Sequence, residues 1–113
     1  MAPEERDMYV QRAMQAARIF VQDQLPQTLL SLSIDVDVER KRIKLRAHFE
    51  KAPSEDDIEA IQITSTEVAS QYVEWYVEED WEVLLPGQQP NALPGGIAWR
   101  RDDPEPPVVK AGE

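Results

Sequence analysis

The stretch IDVDVERKRIKLRAHF, residues 34–49, sets the alternate acids Asp35, Asp37 and Glu39 directly before Arg42, Lys44, Arg46 and the single histidine, His48. Alternate carboxylates can hold a divalent cation, and a carboxylate beside an imidazole can move a proton. A bound cation needs the acids free of cationic neighbours, so the outcome depends on how the stretch folds. Leu30, Leu32, Ile34, Val36 and Val38 alternate with Ser31, Ser33, Asp35, Asp37 and Glu39, and Ile43, Leu45, Ala47 and Phe49 alternate with Arg42, Lys44, Arg46 and His48. A period of two with one apolar and one polar face is the mark of half-buried strands, here two in succession.

With Arg40 and Lys41 as a tight turn, Glu39 faces Arg42, Asp37 faces Lys44, Asp35 faces Arg46 and Ser33 faces His48. Each opposite-charge pair contributes roughly 0.2–1 kcal/mol, and together the pairs define the register. Every acid of the row then has a basic partner, which argues against a metal site. His48 has no second histidine, cysteine or nucleophile near it in sequence, so a solvated strand position is expected and no catalytic role.

The elements around this hairpin are legible from their spacing. Val10, Met14, Ala17, Val21 and Leu25 recur at helical intervals from Glu4 to about Leu25, with Pro3 suited to a first turn and Pro26 expected to end the helix. A second helix opens at PSEDDIEAIQ: Ser54 is an N-cap, Asp57 stands at the N3 position, and Glu55, Asp56 and Asp57 complement the helix dipole. Its apolar stripe is Ile58, Ile61, Val68 and Tyr72, with Ser65 in the same row. Alternation from Val77 to Leu85 predicts a third strand, and GIAWRR a short fourth at a sheet edge, after the turn-rich PGQQPNALPGG. The expected fold class is α+β in the order α-β-β-α-β-β, an antiparallel, mainly four-stranded sheet with two helices on one face. Residues 1–101 form one domain in this reading, and 102–113 a Pro-rich tail expected to be disordered.

Composition limits the function. There is no cysteine among the 113 residues, hence no disulfide and no thiolate chemistry. No glycine-rich phosphate loop, nucleophile elbow or histidine pair appears, so no enzyme activity and no cofactor are expected. The sequence shows neither a signal-peptide pattern nor a membrane-spanning apolar run, and a cytoplasmic setting is expected. Net charge is −10 and unevenly placed: residues 52–99 hold ten acids and no Lys or Arg. Such a domain repels nucleic acid and anionic membrane and attracts basic protein surfaces.

In the order of its elements, and in cues such as PSEDDIE and TEV over roughly residues 10–101, the chain resembles small acidic bacterial α/β proteins that confer immunity to polymorphic or contact-delivered toxins. That resemblance implies a non-catalytic protein that binds and neutralises one cognate toxin. The charge distribution suits a basic toxin domain that acts on nucleic acid, with no direct nucleic-acid binding by this chain. A generic protein-binding adaptor is the alternative. The expected contact residues are Asp56, Glu59, Glu74, Glu78, Asp80 and Glu82, with Trp75 as the aromatic anchor; Trp81, on alternation, belongs to the core.

Overall fold

The structure is a computed structural model, and it describes residues 3–24 and 26–102. The elements run α1 (Pro3–Gln24), β1 (Leu29–Asp37), β2 (Arg42–Phe49), α2 (Glu55–Gln71), β3 (Tyr76–Val83) and β4 (Ile97–Arg100). The chain is α+β, with the strands in one sheet ordered β3-β2-β1-β4. The sheet is not the antiparallel one expected: β1 pairs antiparallel with β2 and β4, but β3 runs parallel to β2. The reason is α2. A seventeen-residue helix between β2 and β3 returns the chain to its starting end, so the next strand enters in the same direction as the last. Leu25 and the tail beyond Asp102 lie outside the described residues.

α1 buries Val10, Ala13, Ala17 and Val21. The two alanines have no accessible surface, and their small side chains let the helix lie close on β1 and β4. Arg18 fastens it by donating from Nε to the carbonyl of Ala98, 2.7 Å away. α2 starts as its sequence predicts: Ser54 accepts from the backbone of Asp57, and the Asp57 carboxylate accepts in turn from the backbone of Ser54. Asp57 also receives Thr28 Oγ1 and the backbone N–H of Gln27, which ties the start of α2 to the approach to β1. Burial pushes the Asp57 carboxyl up, but these donors outweigh it and hold its pKa below the ordinary value. α1 and α2 touch each other and share one core with Leu32, Ile34, Ile43, Leu45 and Phe49 of the sheet. Among the described residues, no helix is long and apolar enough to cross a membrane.

The β1–β2 register differs from the expected ladder by two residues. Asp37 lies opposite Arg42, Asp35 opposite Lys44, Ser33 opposite Arg46 and Ser31 opposite His48. Glu39 has left the ladder and sits in a turn of residues 38–41. A two-residue turn would need positive φ at Arg40, and in a type I′ turn at Lys41 as well, a demand met by Gly, Asn or Asp rather than by these residues. In the observed turn only Lys41 takes positive φ, at 53°. Asp37 supports this turn by accepting from the backbone N–H of Arg40 at 3.1 Å. A slip of two keeps every side chain on its face, so the polar and apolar rows survive the change. At the far end, a bulge between Leu29 and Ser31 turns Leu29 into the core in place of Leu30, which is only partly covered.

The polar face is not left to solvent along its whole length. Residues 88–96 return across it, where the backbone of Leu93 donates to Ser33 Oγ and the carbonyl of Gly96 accepts from Ile34. Gly95 makes the approach feasible, because a Cβ there would sit 2.4 Å from the carbonyl oxygen of Ile34. Gly95→Ala should therefore force the segment off β1 and destabilise the domain by roughly 1–3 kcal/mol, read as a lower denaturation midpoint. Gly87→Ala meets no neighbouring atom and should cost only the strain of its positive φ.

Candidate functional site

β3 brings a row of acids, Glu78, Asp80 and Glu82, opposite Lys44, Arg46 and His48 of β2 on the polar face. This parallel pairing supplies the partners that the hairpin was expected to supply. Arg46 makes a bidentate contact with Asp80, Nε to Oδ1 at 2.9 Å and a terminal nitrogen to Oδ2 at 3.2 Å. Lys44 reaches the same carboxylate at 3.1 Å. Burial pushes the Asp80 carboxyl up, but the Arg46 and Lys44 donors outweigh it and its pKa lies below the ordinary value. Asp35 turns to Arg6 of α1 at 2.8 Å instead of to Arg46, and Asp37 to Arg40. Arg42 lies over the ring of Tyr76, 5.3 Å from its centroid.

His48 is fully buried, not solvated. Its Nδ1 donates to Glu82 Oε2 at 2.5 Å, and its Nε2 lies 2.8 Å from Ser33 Oγ. Because a carboxylate only accepts, the neutral ring carries its proton on Nδ1 and takes the Ser33 hydroxyl proton as a hydrogen bond at Nε2. Ser33 and His48 thus meet as diagonal neighbours although the register sets neither opposite the other. The order serine, histidine, carboxylate is that of a nucleophile relay. Here Ser33 Oγ is buried and already receives the N–H of Leu93, so a substrate carbonyl has no approach to it. What the network does is hold residues 91–93: Glu82 also accepts from Asn91, and Arg46 donates to the Asn91 carbonyl. Among the described residues, no group of three or more His, Asp or Glu could hold a metal ion.

The expected contact residues fall in three places. Asp56 and Glu59 are exposed on the first turns of α2. Glu74 is exposed in the turn before β3, at a φ of 75°. Glu78, Asp80 and Glu82 form the outer row of the polar face, each partly covered. Only the last three are brought together, and of these Asp80 and Glu82 are tied inward to cations, His48 and Asn91. Neutralising all three would loosen residues 88–96 as well as remove charge. Exposure of the two tryptophans is the reverse of that expected. Trp75 is half-buried between Tyr9 and Tyr72, with ring centroids 5.1 and 5.7 Å away. Trp81 leans edge-on against Phe49 on the helix face and remains 46% exposed. Alternation assigned Trp81 to the correct face, but α2 does not extend over it.

Two measurements follow from the polar network. A double-mutant cycle on Arg46 and Asp80 should give a coupling of about 1 kcal/mol, with a much smaller one between Asp35 and Arg46, which lack direct contact. For pH, burial pushes the His48 imidazole below its ordinary value of about 6.5, against the opposing pull of Glu82. Between its folded and unfolded values the unfolded chain binds the extra proton, so stability present above about pH 6.5 should be lost as pH falls below it. Asp57 and Asp80, with lowered pKa values, add a further loss below about pH 4. Denaturation midpoints for His48→Gln should lack the first loss and keep the second.

No match to the chain is found among curated proteins. The MafI2 immunity protein family matches residues 31–102, which run from within β1 to the end of β4 and include the whole polar network, Trp75 and Trp81. With well over half of its length so matched, the chain belongs to the MafI2 immunity protein family, an immunity-type protein associated with toxins.

Proposed function

We propose that the chain neutralises a basic cognate toxin, one acting on nucleic acid, by stoichiometric binding and without catalysis of its own. The observation that carries this reading is the interval from Ala52 to Trp99, with ten acids and no Lys or Arg, within a family of immunity proteins. A toxin that grips nucleic acid needs a cationic cleft, and an acidic surface competes for that cleft through the same long-range field. Asp56, Glu59, Glu74 and Glu78 supply the charge that no internal cation neutralises, since among the described residues none of them has an ion-pair partner. Asp80 and Glu82 add less to the outer field, because Lys44, Arg46 and His48 stand against them. Trp75 supports this surface from behind by fixing the turn that carries Glu74.

Co-expression with its cognate toxin domain should restore growth. Association of the two purified proteins should slow as salt rises, by about tenfold or more across the range over which the Debye length falls to a few ångströms. Glu78→Gln combined with Glu74→Gln should reduce the association rate and leave the denaturation midpoint unchanged. Growth rescue by a complex whose formation ignores both salt and these substitutions would reduce the acidity to a means of staying soluble.

A further inference from the structure

The sheet has two terminal strands of unequal character. β4 is four residues long, whereas β3 presents eight residues along an open edge. The backbone N–H groups of Tyr76 and Leu84 bond inward to the carbonyls of Lys41 and Phe49, both at 2.8 Å. In a parallel ladder the inward donors alternate, so Glu78, Asp80 and Glu82 share that phase and Val77, Glu79, Trp81 and Val83 turn their N–H and C=O groups to the open side.

The same four residues project on the helix face, where Val77 packs against the core and Glu79 accepts from Ser65 of α2, but α2 leaves Trp81 and Val83 partly open. Trp81 is 46% exposed, Val83 39% and Leu85, just past the strand, 70%. Beside them Ile58, Ile61 and Gln62 of α2 form a shallow hollow with Glu79 and Trp81. On the opposite face the edge carries Glu78, Asp80 and Glu82.

That acidic row decides what can pair with the edge. A second copy, docked antiparallel with its faces matched, would set Glu78, Asp80 and Glu82 against the same acids in every well-overlapped register, and like charges directly opposite are destabilising. A strand with Lys or Arg at alternate positions meets the opposite condition: its cations face the acid row while its intervening apolar residues pack on Trp81 and Val83.

We propose that the open edge of β3 binds the toxin by accepting one of its extended segments as a fifth strand, with basic residues on the polar face and apolar residues beside Trp81. This rests on the reading of the chain as a toxin-binding protein and adds the place and form of docking. Backbone hydrogen bonds supply affinity in such a pairing, and the alternating side chains supply selection. Glu78 is the discriminating acid, since it is half-covered, has no ion pair among the described residues and holds no part of the segment 88–96.

The test is amide hydrogen exchange on the full chain, alone, with a short capped peptide of alternating lysine and valine, and with the toxin domain. Both ligands should slow exchange at Val77, Glu79, Trp81 and Val83, while a peptide N-methylated at alternate residues should bind about tenfold more weakly. Glu78→Gln should weaken peptide binding several-fold without moving the denaturation midpoint, whereas Trp81→Ala, which also removes the contact with Phe49, should weaken binding several-fold and lower the midpoint. Peptide binding that is indifferent to N-methylation, or no protection at these four amides, would overturn the proposal. The two readings fail separately. A toxin complex that leaves the four amides unprotected removes the edge and keeps the neutralising role, whereas protection by peptide with no toxin complex removes the role and keeps the edge.

Discussion

The parallel pairing of β3 on β2 is the constraint from which most other features follow. It places Asp80 and Glu82 against Lys44, Arg46 and His48, so the cations of β2 are satisfied on the side away from β1. Asp35 and Asp37, relieved of that task, turn to α1 and to the hairpin turn. The hairpin therefore needs no charge ladder to hold its register. Its register is set by the Asp37-supported turn at one end and by the bulge at Leu29 at the other.

His48 shows how a single pairing converts surface chemistry into structure. A histidine on a polar strand face is ordinarily wet. Once Glu82 stands beside it and residues 88–96 close over Ser33, every hydrogen-bonding atom of the ring has a partner and water is no longer needed. Among the described residues no buried side-chain nitrogen or oxygen lacks a partner. A fully satisfied buried network of this kind is rigid, and it joins β1, β2, β3 and the segment before β4 into one unit. The same arrangement keeps Ser33 from acting as a nucleophile, since its hydroxyl oxygen is committed on both sides.

The surface left after these contacts are made is uneven. Acids with inward partners contribute little to the field outside, while Asp56, Glu59, Glu74 and Glu78 retain theirs. Net charge read from composition overstates how much of the negative potential of β3 is available to a partner, and the difference lies with Lys44 and Arg46. The apolar counterpart is Trp81, whose exposure comes from the length and placement of α2 and not from its own strand position.

Local signals in the amino-acid sequence determined the elements and their faces. Ser54 and Asp57 marked the start of α2 because a capping box involves only residues three apart, and alternation marked the strands because side chains in an extended chain point to opposite sides. The α+β class and the helix-facing row of Leu32, Ile34, Ile43, Leu45 and Phe49 were legible for the same reason. What alternation could not reveal was which strand lies beside which, and in what direction. Period-two patterns are identical for parallel and antiparallel neighbours and for registers two residues apart, so Asp37 with Lys44 and Asp35 with Arg46 looked as sound as the true partners. The burial of His48, the capture of Arg46 by Asp80 thirty-four residues away and the exposure of Trp81 were decided only when α2 carried the chain back to lay β3 along β2. Charges pair with whatever the topology sets next to them, and at that range the sequence holds no record of distance.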